Sequence, residues 1–237
     1  PALRDSHLQL AQWVVTNYPE SEAAGSPAIQ IHASRDPAGC MTMKHLWLKQ
    51  VEAHSQDANL LGNAANFFLL SVGGTAEEFL LQAQKLEPNN ERWAERLGDL
   101  YKLGLVRANS SERPEIADKA LVQFELAMSQ NKTPEKESVL LVELAKVAFE
   151  AGQTEKAKTY ADQLLKTGSN GEKDWNSGNA VHTGNTILGR LAIATGDVDA
   201  AKSHLLAAGK TTGSPQLNSF GPNMQLAKEL LEKGEKD

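Results

Sequence analysis

The stretch NERWAERLGDLYKLG, residues 90–104, decides the fold. Trp93, Leu97 and Tyr101 recur four residues apart, while Arg92, Glu95, Asp99 and Lys102 form a polar stripe in another direction. That period is helical, and a helix with one apolar face must bury it against a neighbour.

The same pattern runs outward on both sides. ANLLGNAANFFLL (58–70), ADKALVQFELAM (117–128) and SVLLVELAKVAFEAG (138–152) all place apolar residues three and four apart. The best alternating run, AIQIHAS (28–34), is short. Helix boundaries are marked as well. Thr75 with Glu78 makes a capping-box pattern. Asp36-Pro37, Thr133-Pro134 and Gly221-Pro222 put proline where a first helical turn tolerates it. Gly152 and Gly196 stand where a helix ends in a left-handed residue. The chain is expected to be all-α.

The helices also repeat. From Trp93 the frame runs through Leu97-Gly98 and Tyr101, then resumes after an insertion at Ala120, Phe124 and Ala127. Ala76, Leu80, Ala83 and Pro88 precede it. Leu144-Ala145, Ala148, Gly152 and Ala157 follow, and then Leu188-Gly189, Ala192, Gly196 and Ala201. Small residues at these positions let the two helices of a hairpin approach closely. The pattern resembles the tetratricopeptide (TPR) repeat, with Trp93 one residue from its usual place. The tail GSPQLNSFGPNMQLAKELLEKGE is similar to that of uncharacterised bacterial TPR-containing proteins.

The resemblance implies a right-handed α-solenoid of TPR-like helix hairpins with N- and C-terminal capping helices. Residues 1–54 would supply N-terminal helices or a degenerate repeat. The array would span 55–213, with an insertion near 105–117, and residues 214–237 would form a C-terminal capping helix. It also implies a concave surface, lined by the first helix of each hairpin, that binds a peptide or a helix of a partner protein.

Bulk properties narrow the alternatives. The net charge of −6 is spread along 237 residues without a basic block, so no nucleic-acid partner is expected. The lone Cys40 excludes an intramolecular disulfide and any multi-cysteine metal site. No run reaches the roughly 18 apolar residues of a membrane span. None of the six histidines makes a zinc-ligand pair, and no nucleophile elbow or phosphate loop is present, the glycines of SVGGTAEE (71–78) having no strand before them. Neither metal nor cofactor is expected. A cytoplasmic protein is favoured; a secreted or periplasmic one follows if the chain, which starts at proline, is a processed fragment.

The expected binding residues are polar rows on the first helices. Asn59, Asn63 and Asn66 follow i, i+4, i+7 spacing, although asparagine is a poor residue for an exposed helix interior. Their amides suit sequence-tolerant gripping of a peptide backbone. Gly62-Asn63 resembles the pair in TPR domains that clamp a C-terminal carboxylate. Here Asn59 stands where the first clamp lysine would be and Asp99 adds negative charge, leaving Lys146 and Arg190 as cations. In GNAVHTGNTILGR (178–190) and just before it, Asn176, Asn179, Thr183, Thr186 and Arg190 share a stripe. Arg92 and Lys102 would help select charge, with Phe68 and Phe149 as apolar anchors. The leading expectation is thus a non-enzymatic interaction module. The rival is an enzyme or small-molecule binder whose pocket forms around His182, Asn179 and Asn185, with Trp175 as a wall. A third is a scaffold that forms homo-oligomers through its terminal helices.

Overall fold

A computed structural model describes residues 2–69, 74–131, 133–169, 175–211 and 213–235. Among them the regular structure is entirely helical: α1 (Ala2–Asn17), α2 (Pro37–Ala53), α3 (Ala58–Phe68), α4 (Thr75–Leu86), α5 (Glu91–Leu105), α6 (Arg113–Gln130), α7 (Pro134–Glu150), α8 (Thr154–Ser169), α9 (Ser177–Thr195), α10 (Val198–Gly209), α11 (Pro215–Phe220) and α12 (Gln225–Glu232), with one 3-10 turn at Pro27–Ile29. The chain divides into two compact units, Pro1–Leu100 and Tyr101–Asp237, so that the division falls inside α5.

Local chemistry explains the helix ends. Asp36, Asp57 and Asp197 each accept a hydrogen bond from a backbone N–H three residues on, at 2.9, 2.9 and 3.0 Å. Gly152 and Gly196 have φ of 72° and 83°, and the next residues donate back to Ala148 O and Ala192 O at 2.9 Å. Both ends are therefore closed by the left-handed glycine the sequence implies.

In the first unit α1 pairs with α2, α2 packs on α3, and α3 pairs with α4. Met43, Trp47, Leu60, Leu61, Phe68, Leu80, Trp93 and Leu97 are buried there. In the second unit each of α6 to α9 packs on the helix that follows it, and α7 also meets α9. Contact between helices two apart is what stacked hairpins produce. The fold is all-α, built from TPR-like helical hairpins. α12 closes the end of the second unit by setting Leu226 and Leu230 against Ala201.

Three local expectations change, and the short alternating run stays out of any strand. The run 28–34 forms a 3-10 turn and irregular backbone, since no second strand is there to pair with it. Gly74 is the residue before α4, so Thr75 already lies inside the helix and makes no cap bond; Ser71–Gly73 of the glycine turn lie outside the described residues. α12 begins at Gln225, beyond Pro222. The insertion shrinks to residues 106–112, because Arg113 already opens α6 and donates to Glu150 Oε2 at 2.7 Å and to Leu105 O at 2.7 Å.

Glycine in α9 permits two close approaches. A Cβ at Gly184 would lie 3.0 Å from Ala161 O and from the Leu165 side chain on α8. A Cβ at Gly178 would collide with Gly213 O, where Thr211 Oγ1 also donates to Gly178 O at 2.9 Å. Gly178→Ala is expected to cost about 1–3 kcal/mol by overpacking against backbone. An unchanged thermal midpoint would mean that Thr211 and Gly213 do not rest on α9.

Candidate functional site

The sequence-chosen residues fall into two sets, one in each unit. In the first, Asn63 is only 3% exposed, and its Nδ2 donates to Pro19 O at 2.9 Å and Ser21 O at 2.8 Å. Asn66 Nδ2 donates to Gly25 O at 3.1 Å, while Gln30 Nε2 donates to Asn66 O at 3.2 Å. These amides do grip backbone carbonyls in sequence-tolerant fashion, but the backbone is the chain's own connector between α1 and α2. Asn59 is exposed and accepts from Arg92 Nη1 at 3.2 Å. Arg96 Nη2 donates to Gly62 O at 2.6 Å and to Asn66 Oδ1 at 2.5 Å, and its guanidinium lies 5.5 Å from the Trp93 ring centre. Burial, and then the charge of Arg92, push Arg96 down to about 10. Asp99 is exposed on α5. Phe68 is buried against Phe67 and Phe79, so it is a core residue and not an anchor.

The second set comes together. α7, α9, α11 and the turn after α11 enclose a cleft of about 310 Å³. Its lining includes Lys146, Asn179, His182, Thr183, Thr186 and Arg190 from the sequence reading, joined by Glu150, Ile187, Gln216, Leu217, Phe220 and Asn223. Helical spacing puts residues 179, 183, 186 and 190 on one side of α9, and the α7–α9 packing turns that side toward Lys146 and Glu150.

Much of this polar lining is already bonded. His182, 6% exposed, shares its Nδ1 with Ala208 O at 3.2 Å and accepts at Nε2 from the Asn223 N–H at 3.0 Å. This pattern is that of the neutral Nδ1–H tautomer. Both ring nitrogens face backbone groups, so neither holds a lone pair toward the cleft for base catalysis. The rival pocket is not assembled either. Asn185 donates to Val181 O at 3.0 Å and its Oδ1 faces His204 Nδ1 at 3.0 Å, outside the cleft lining. Trp175 is exposed and likewise outside that lining. Phe220, 89% exposed at the rim, is the aromatic residue there instead. Thr186 donates to His182 O at 2.8 Å. Asn179 donates to Asn176 Oδ1 at 3.2 Å, and Asn176 donates to Ser138 Oγ at 2.9 Å.

The charges are also engaged. Arg190 donates from Nε to both Glu229 oxygens at 2.9 and 3.1 Å and from Nη2 at 2.8 Å, with Glu150 Oε1 3.6 Å away. Its guanidinium stacks 4.1 Å from the centre of the Phe149 ring, so the expected anchor Phe149 serves as a platform for Arg190. Lys146 reaches Glu143 Oε1 at 3.4 Å, and Lys102 reaches Glu143 Oε2 at 3.0 Å. Burial raises Glu143, but the charges and hydrogen bonds of Lys146 and Lys102 together outweigh it and hold the carboxyl below its ordinary 4.5.

Sequence reasoning missed Gln216, Leu217 and Phe220, because the tail reads as a cap. A local signal was present: Ser214 caps α11 through Leu217 N at 3.2 Å, which marks SPQLNSF as a separate short helix. Among the described residues no cluster of three or more His, Cys, Asp and Glu could hold a metal ion, and no helix is long and apolar enough to cross a membrane.

No family model matches the chain, and no curated protein matches it. The likeness of the tail to uncharacterised bacterial repeat proteins accordingly stays an expectation. A solved structure described as "Functional Characterization of Pseudomonas Aeruginosa pilF" is similar over 97% of both chains, with 15% identity and a TM-score of 0.41. A similarity of that degree carries no argument about what this chain does.

Two substitutions separate scaffold from site. Asn63→Ala removes two buried donors and is expected to cost about 2–3 kcal/mol, with faster amide exchange in residues 20–26. An unaltered unfolding curve would show that the connector holds without them. Glu143→Gln is expected to cost on the order of 1–2 kcal/mol at neutral pH. A carboxyl lowered in the folded state stabilises above its unfolded value and loses that contribution as pH falls through the folded one. The gap between wild type and Glu143→Gln should therefore close below pH 4.5, and a gap that persists in acid would contradict the assignment.

Proposed function

We propose that the chain is a non-enzymatic protein-interaction module that takes a segment of a partner protein into the α7–α9–α11 cleft. One observation carries this reading. The polar stripe on α9, chosen from sequence as a binding face, lies along a cleft with an apolar wall of Ile187, Leu217 and Phe220. An exposed phenylalanine beside polar groups is the composition of a recognition surface. Thr183 supplies a hydroxyl, Asn179 keeps its side-chain oxygen for a ligand, and Lys146 stands at the α7 side. His182 and Thr186 hold the cleft's shape, and Arg190 fixes α9 to α12 through Glu229.

In the catalytic alternative His182 would be the base, and both of its ring nitrogens are spent on backbone. A peptide partner also suits the repeat architecture, in which stacked hairpins present extended surfaces.

A photo-crosslinking p-benzoylphenylalanine at Phe220 tests the proposal in cells of the source. A discrete protein adduct is expected, and Thr183→Tyr, which fills the cleft, should remove it while leaving helicity unchanged. An adduct that also forms from the exposed position Val122, or that survives Thr183→Tyr, would sink the assignment.

A further inference from the structure

The lining of the cleft includes a residue with a buried polar atom whose bonding is incomplete. That residue is Gln216, whose Oε1 is buried with no hydrogen-bond donor among the described residues. A buried acceptor left unbonded keeps its full desolvation penalty, so a donor arriving with a ligand gains more there than at a solvated amide. Gln216 precedes Leu217 and stands four residues before Phe220 on the same short helix. A donor at Gln216 is therefore presented together with an apolar contact.

The cations differ in what they have left to offer. Arg190 is bound through Nε and Nη2 to Glu229, lies near Glu150, and has a side chain only 16% exposed. A ligand carboxylate would have to displace Glu229 to reach it. Lys146 has only a 3.4 Å contact with Glu143, whose other oxygen is held by Lys102 at 3.0 Å, and its side chain is 43% exposed. Lys146 can swing toward a second carboxylate while Lys102 stays on Glu143, because its 3.4 Å contact is long and its ammonium sits on a flexible stem.

We infer that the cleft recognises a short extended peptide segment that sets an apolar side chain against Ile187, Leu217 and Phe220, donates an N–H to Gln216, and brings a carboxylate to Lys146. This rests on the interaction reading above and specifies the partner's chemistry. Lys146 and Gln216 act as the specificity-determining residues, whereas Arg190 acts as a brace.

The test is selection of a phage-displayed random dodecapeptide library on the full chain, with Thr183→Tyr as the counter-selection. Peptides that pair a large apolar residue with Asp or Glu are expected, and their synthetic forms should bind Gln216→Leu about tenfold more weakly, the loss of one buried hydrogen bond. Selection on Lys146→Glu should exchange the acidic residue for Lys or Arg. Comparing each synthetic peptide as free acid and as amide tells a side-chain carboxylate from a terminal one. Cleft-dependent peptides without an acidic preference, or unchanged selection on Lys146→Glu, would overturn the specificity while leaving the interaction reading intact. Enrichment of the same peptides on Thr183→Tyr would remove both.

Discussion

Helices pack with their axes 8–10 Å apart only when the residues at the crossing are small enough. In the second unit that condition is met by alanine and glycine. Ala157 and Ala161 on α8 are fully buried, and Gly184 on α9 brings its backbone against Ala161 O and Leu165. At Gly189 a Cβ would meet the Leu226 side chain of α12. With α9 held tightly on the α8 and α12 sides, its rotation is set. Residues 179, 183 and 186 are left toward the cleft beside α7, and Arg190 reaches from the same side to Glu229 of α12. The cleft is in this sense a consequence of the seam: enlarge Gly184 and the polar stripe turns with the helix.

Buried polar groups obey a second constraint, since each must find a partner. It accounts for both asparagine sets. On α3 the amides hold the connector at Pro19, Ser21 and Gly25, giving irregular backbone the hydrogen bonds that no strand supplies. At the start of α9, Asn176 and Asn179 link to Ser138 on α7. Asparagine's low helix propensity, which drew attention to these positions, is offset in each case by tertiary bonds. A helix-penalising residue repeated at helical spacing does signal something, but the signal does not distinguish a partner's backbone from the chain's own.

That ambiguity marks how far the sequence could be read. Helix positions, glycine stops and hairpin order were legible because they depend on residues a few places apart: 3.6-residue periodicity, Asp36 before Pro37, Gly196 after Thr195. The side of α9 that matters was legible for the same reason. What covers a face depends on residues distant in the chain. Nothing near Asn63 indicates that Pro19 and Ser21 lie over it, and nothing near His182 shows that Ala208 and Asn223 use both of its nitrogens. The roof of the cleft was missed likewise, since α11 looks like the approach to a capping helix until its seating against α9 is seen.

The charges of the cleft follow from burial and sharing. Glu150 accepts from Arg113 and faces Arg190, and Glu229 takes the rest of Arg190. An arginine placed between two carboxylates over an aromatic ring is well satisfied, and opening that network to a ligand would leave a half-buried acid without its partner, a cost of several kcal/mol in most proteins. Lysine behaves differently, because its ammonium is a point charge on a flexible stem and exchanges one carboxylate for another without breaking a bidentate geometry. The two cations that the sequence presents as equivalent are thus separated by their surroundings. Arg190 belongs to the framework, and the adaptable charge of the cleft resides on Lys146.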